Sequence, residues 1–198
     1  MQQKRIDRIR KVVENRQPGL IVVFEDIHDP HNAAAILRTC DAMGIQNVWF
    51  IFEKEKPYNP KHIGKATSSS ANKWLDFQTF TSTSACIRKL KKQGYSIIVT
   101  ALTDQSISLQ DYACTEKKIA VIVGNEHRGV SDEMLQRADT VIKIPMLGFV
   151  QSLNVSVATA IILWEITKQR VLSDSPAVLG KREQQKLFKD FIERGSSK

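Results

Sequence analysis

The sequence predicts an α/β fold, a mostly parallel sheet covered by helices on both faces. Two observations predict it. Short runs that are apolar at nearly every position, Gly19-Leu-Ile-Val-Val-Phe24 and Ile119-Ala-Val-Ile-Val123 among them, read as strands buried on both sides. These runs alternate with segments of helical character bounded by capping and stop signals, the pattern of strand–helix–strand units.

The elements follow in order. Residues 4–16 are predicted helical and very polar, and Gly19–Phe24 is the first strand. Asp29-Pro30 starts a helix, with Asp as N-cap and Pro at the first helical position. It runs to about Met43 and Gly44 ends it. Asn47–Phe52 is the next strand, followed by a charged, Pro-containing loop and a Ser-rich turn at Thr67–Ala71. Leu75–Phe80 reads as an edge strand, and Ser82–Gln93 as a helix ending at Gly94. Ser96–Thr100 and Ile119–Val123 are strands, the second flowing straight into Gly124. Ser131-Asp-Glu133 caps a short helix, its acids facing the positive helix N-terminus. Thr140–Ile144 is the last strand. Val155–Gln169 is a helix apolar on most of its circumference, and a basic helix occupies about Lys181–Ile192.

At 198 residues, 42% of them hydrophobic, the chain can bury one substantial core. No apolar run reaches the roughly 18 residues of a membrane span, and Met1-Gln-Gln-Lys-Arg does not begin a signal peptide. Cys40, Cys86 and Cys114 are odd in number and widely spaced, which fits reduced thiols in the cytoplasm better than disulfides or zinc. The net charge of +8 is unevenly placed: residues 1–19 and 168–198 each carry +4, and the residues between them balance. A neutral core with basic ends suits a protein whose ends grip a polyanion, although basic helices also serve solubility alone.

In a parallel sheet ligands bind beyond the carboxyl ends of the strands, and three clusters fall there. The first is Asp29-Pro-His-Asn-Ala-Ala-Ala-Ile-Leu-Arg38. Asn32 lies in the first helical turn, and Arg38 about two turns on leans back toward the helix N-terminus. An amide and a guanidinium near exposed helix N–H groups can hold a phosphate or a ribose. Taken singly, Asn32 reads first as a capping residue and Arg38 as a surface charge. The second cluster is Ile122-Val-Gly-Asn-Glu-His-Arg-Gly-Val-Ser131, a tight turn. Gly124 would let a ligand approach the main chain, and Glu126 would accept hydrogen bonds from a ligand or position a neighbouring loop. His127 reads as a solvated loop residue. The third is Ile144-Pro-Met-Leu-Gly-Phe-Val-Gln-Ser-Leu-Asn-Val-Ser-Val-Ala158, in which Ser152 or Asn154 can cap the following helix. Capping accounts for one polar residue, not for the whole segment.

These three clusters, in this order and spacing, resemble the SPOUT-class RNA ribose 2′-O-methyltransferases, most closely the branch that methylates guanosine in the D-loop of tRNA. The similarity runs from about Ile6 to Arg170. It implies a deep C-terminal trefoil knot, against the general rarity of knots. It also implies S-adenosylmethionine bound in that knot by Thr100, Ala101, Leu102, Gly124, Ile144, Met146, Ser152 and Leu153. Asn32, Arg38, Glu126, Ser152 and Asn154 would be the catalytic and RNA-facing set. The family works as homodimers, and a broadly apolar helix at 155–169 is consistent with burial against a second subunit. The chain would divide into a basic N-terminal helix at 1–18, a methyltransferase domain at 19–170 and a basic C-terminal tail or helix at 171–198. Lys4, Arg5, Arg8, Arg10, Lys11, Lys168 and Arg170 would contact the RNA backbone.

Methyl transfer from a sulfonium needs alignment of the 2′-OH and loss of its proton. No metal is required, and no metal-ligand cluster is visible. The family mechanism casts Arg38 as general base, yet arginine side chains keep their proton at neutral pH. We therefore expect Arg38 to hold the adjacent phosphate and stabilise the alkoxide, while phosphate or water takes the proton. The alternatives are a ribose methyltransferase acting on ribosomal RNA or another tRNA position, and a non-catalytic RNA-binding module. A nucleotide-dependent oxidoreductase is weakly supported, since no Gly-x-Gly-x-x-Gly follows the first strand.

Overall fold

Seven strands form one wholly parallel sheet in the computed structural model, which describes residues 2–63, 71–173 and 177–196. The strands are β1 (Leu20–Glu25), β2 (Asn47–Ile51), β3 (Asp76–Phe80), β4 (Ser96–Thr100), β5 (Ile107–Ser108), β6 (Ile119–Val123) and β7 (Thr140–Lys143). Their order across the sheet is β3-β2-β1-β6-β4-β7-β5. The helices are α1 (Gln3–Glu14), α2 (Pro30–Ala42), α3 (Thr83–Lys92), α4 (Asp132–Gln136), α5 (Val155–Val171) and α6 (Lys181–Ser196).

Each predicted strand and helix has its counterpart, within a few residues at its ends. The two-residue edge strand β5 was not predicted, because Ile107-Ser108 is too short to carry a period. The expected Ser-rich turn begins in residues 67–70, outside the described residues; Ala71 opens a single 3-10 turn.

The continuous apolar runs are explained by burial on both faces. Along β1, Leu20, Val22 and Phe24 pack with Ile36 and Leu37 of α2 and Leu163 and Ile166 of α5. Ile21 and Val23 point the other way and pack with Cys86 and Leu90 of α3 and Met134 of α4. The sheet thus has α2 and α5 on one side and α3 and α4 on the other.

The two ends of the chain meet. Ile9, Val12 and Val13 of α1 pack with Leu187, Phe188, Phe191 and Ile192 of α6, and Trp74 closes the cluster from the central sheet domain. Arg16, just past α1, is 1% exposed; it pairs with Asp41 of α2 at 2.6 Å and sits 5.5 Å from the Phe191 ring centre. The basic ends expected as separate extensions are therefore one helix pair fastened to the domain.

One predicted RNA contact is overturned here. Arg170, near the end of α5, is 6% exposed, and its guanidinium donates to Gln17 Oε1 and to the carbonyl groups of Pro18, Glu116 and Lys117. A buried cation with its donors taken up by protein acceptors is structural. Lys168, two residues earlier, is exposed and ion-paired with Glu165.

Candidate functional site

The carboxyl ends of β4, β6 and β7 open onto a cleft of about 520 Å³. Its walls come from the three loops that follow these strands and from the start of α5. All eight residues assigned above to the cofactor lie on it: Thr100, Ala101, Leu102, Gly124, Ile144, Met146, Ser152 and Leu153. Glu126, His127, Arg128 and Gln151 supply polar groups, while Ile142, Val155, Ala158 and Ile162 extend the apolar wall. The volume lies within the roughly 300–1,000 Å³ of small-molecule sites, and the mix of apolar wall and few polar groups is typical of them.

Gly124 lies on the cleft wall and is also needed by its own loop. A Cβ on it would lie 2.3 Å from the carbonyl carbon of Gly129 and 2.4 Å from the N of Val130. The loop's own backbone makes this close approach, which only a residue without a Cβ allows. That loop is a closed hairpin: Asn125 and Gly129 exchange backbone hydrogen bonds of 2.9 and 2.8 Å. The buried Asn125 side chain accepts from the N–H groups of His127 and Arg128 and donates to the carbonyl of Asp26.

At the edge of the cleft three predicted residues form a chain. Asn32 Nδ2 donates to Glu126 Oε1 at 2.9 Å, and Asn154 Nδ2 donates to Asn32 Oδ1 at 3.1 Å. Glu126 also accepts from the backbone N–H of His28 at 2.9 Å and of Asp29 at 3.1 Å. Burial pushes the Glu126 carboxyl up, but these donated bonds outweigh it and hold the group below the usual carboxylate range. Glu126 is thus a fixed carboxylate. Asn154 is the N-cap of α5: its Oδ1 accepts from Ser156 N at 2.8 Å and from Ser156 Oγ at 2.6 Å.

Ser152 is exposed on the cleft wall. Arg38 is exposed on α2, with no hydrogen-bond or ion-pair partner among the described residues. The structure joins Asn32, Glu126 and Asn154 directly and, among the described residues, does not attach Arg38 to them. Lys4, Arg5, Arg8, Arg10 and Lys11 are exposed on α1. On α6, Lys181, Arg182, Lys186 and Lys189 are exposed as well.

Two acidic residues outside the predicted site organise the same loops. Asp26, buried at the end of β1 with φ 54°, accepts from the N–H groups of Glu53, Lys54 and Glu55. Glu55 pairs with the His28 ring at 2.8 Å and with Arg128 at 2.7 Å. Hydrogen bonding to Glu55 raises the His28 pKa, and hydrogen bonds from His28 and Arg128 lower that of Glu55. Asp26 had its position at a strand end as a signal; Glu55, in a charged loop, had none.

Among the described residues no group of His, Cys, Asp and Glu side chains could hold a metal ion. No helix among them is long and apolar enough to cross a membrane.

Residues 19–164 match the model of the SpoU rRNA Methylase family. The chain is 40% identical over 190 residues to a tRNA (guanosine(18)-2′-O)-methyltransferase of Thermus thermophilus, covering 94% of this chain and 95% of the relative. It is 35% identical over 192 residues to the enzyme of the same name from Escherichia coli, covering 95% and 82%. The crystal structure of an A. aeolicus TrmH/SpoU tRNA modifying enzyme superimposes with a TM-score of 0.87 at 35% identity, over 99% of this chain and 98% of that one.

Proposed function

The chain belongs to the SpoU rRNA methylase family, and we propose that it methylates the ribose 2′-OH of the D-loop guanosine of tRNA, with S-adenosylmethionine as methyl donor. The observation that carries this reading is the joining of two sites. A cleft lined by the eight residues expected to hold the cofactor opens beside the hydrogen-bonded chain Asn32–Glu126–Asn154. The tRNA target rests on the relatives from Thermus thermophilus and Escherichia coli, which are named for guanosine 18 and match along nearly the whole chain.

The residues fit the donor. Leu102, Ile144, Met146 and Leu153 offer apolar surface for a base and a methylene chain, with the main chain of three loops beside it. When bound, S-adenosylmethionine supplies a sulfonium-activated methyl group. The chain's own task is to present the ribose oxygen in line and to manage its proton. Glu126 spends its oxygens on Asn32 and on the 28–29 backbone, so it positions Asn32 rather than moving a proton. Ser152 and Asn154 face the ribose. Arg38, exposed and without a protein partner among the described residues, is available to hold the neighbouring phosphate and to stabilise the developing alkoxide. Phosphate or water then takes the proton.

Three further features belong to the same reading. The loops after β4, β6 and β7 form the crossings of a trefoil knot, which is supported by their convergence on one cleft. Two copies pair through α5, with the site at their interface; Val157, Ile161 and Trp164 of α5 are 47%, 40% and 60% exposed, at helical spacing. Residues 19–170 form the methyltransferase domain, the basic helices α1 and α6 hold the RNA backbone, and the enzyme works in the cytoplasm, where tRNA is. The test is transfer of tritium from labelled S-adenosylmethionine to bulk tRNA, followed by digestion and mapping of the labelled nucleotide. The expected product is 2′-O-methylguanosine in the D-loop. Label at another ribose would change the target, and no label in tRNA would reject the reading.

A further inference from the structure

The bond between Glu126 and Asn32 depends on how the loop after β1 sits against the loop after β6. Glu126 spans that gap through the N–H groups of His28 and Asp29. A second carboxylate spans it too. Glu55, from the loop after β2, accepts from the His28 ring with Oε2 at 2.8 Å, and its Oε1 accepts from Arg128 at 2.7 Å. Asn125 Nδ2 lies 3.4 Å from the same Oε1. The Glu55 backbone is itself anchored, since its N–H donates to Asp26 Oδ1 at 3.1 Å. Its side chain is 17% exposed, against 62% for His28 and 48% for Arg128. The less exposed and better anchored partner thus stands in the middle of the three.

We propose that Glu55 is a positioning residue for methyl transfer, bracing the loop after β1 against the loop after β6 so that Glu126 can hold Asn32. This rests on the reading of Asn32, Glu126 and Asn154 as the substrate-facing chain. Glu55 acts through backbone placement and has no described contact with Asn32 or Asn154. Among the described residues, the charged groups facing His28 are Glu55 from the loop after β2, Glu126 and Arg128 from the loop after β6, and Asp29 next to it in its own loop. Removing Glu55 therefore takes away the closest attraction and leaves the weaker ones from Glu126 and Asp29 against the Arg128 repulsion. Partly exposed ion pairs of this kind add little to global stability, so the effect belongs to the site rather than to the fold.

Two measurements on the full chain test this. The first needs no substrate: amide hydrogen exchange of His28 and Asp29, whose N–H groups bond to Glu126. Glu55→Ala should speed their exchange roughly tenfold relative to the amides of β1 and β6, with the melting temperature little changed. Unchanged protection at His28 and Asp29 would overturn the proposal, whatever the enzyme does with RNA. The second is steady-state methyl transfer to tRNA. Glu55→Ala should lower kcat roughly tenfold, with KM for tRNA and for S-adenosylmethionine within about twofold of wild type. Glu55→Gln, which keeps an acceptor, should recover part of the loss. Adding His28→Ala to Glu55→Ala should lower kcat little further, because the two act as one unit. A higher KM with unchanged kcat, or losses that multiply, would also overturn it. Wild-type protein that transfers no methyl group to tRNA would count against the proposed function, while the exchange measurement would still decide the role of Glu55.

Discussion

Asn154 divides its amide between two tasks. Its oxygen caps α5 by accepting from Ser156, and its nitrogen donates to Asn32. The two tasks separate by substitution. Asn154→Ser keeps a capping oxygen but loses the donor to Asn32. The expected result is a fall in kcat of roughly tenfold or more, with S-adenosylmethionine affinity, measured by calorimetry, within about twofold of wild type. An equal loss of both would make the segment a cofactor loop alone. This division was only half legible in sequence. The segment from Ile144 to Ala158 announced a strand-end loop, yet whether Ser152 or Asn154 capped the helix was open, since both stand near its start. The structure gives the cap to Asn154 and leaves Ser152 on the cleft wall. Glu55 was not legible at all, because its partners His28 and Arg128 lie 27 and 73 residues away.

At the scale of the element, α5 shows why a helix can be apolar nearly all round. Thr159, Ile162, Leu163 and Ile166 are buried against the sheet and α2. Val157, Ile161 and Trp164 lie on the exposed remainder. A single chain leaves that second stripe in water, which a pairing surface would cover. Trp164→Glu should therefore shift the protein toward monomer in sedimentation equilibrium and lower methyl transfer with it, while the thermal transition stays cooperative. A monodisperse dimer in the variant would place the pairing surface elsewhere. Strands and helices were readable because their periods and caps are local; β5, two residues long, and the α1–α6 pairing were not. The pairing joins residues more than 170 positions apart, and no short-range pattern encodes it.

For the whole molecule, that pairing changes what the charge distribution means. The +4 at each end looked like two separate grips. In the fold the two ends stand together, and some of their charge is spent inside the protein. Arg16 pairs with Asp41, Arg194 with Asp76 and Asp190, and Arg170 is closed off by four acceptors. What remains for a polyanion is the exposed set on α1 and α6, with Arg5 and Lys186 as examples. The two kinds of basic residue should respond in opposite ways. Arg5→Gln or Lys186→Gln should each raise KM for tRNA and flatten the plot of log affinity against log salt by about 0.7–0.9, the contribution of one phosphate contact. Neither should alter kcat at saturating tRNA. Arg170→Gln should leave the salt slope alone and instead destabilise the fold by about 1–3 kcal/mol, since it strands the carbonyl groups that the guanidinium satisfies. A salt slope that changed with Arg170 and not with Arg5 or Lys186 would mean that the RNA runs along α5 rather than along the helix pair.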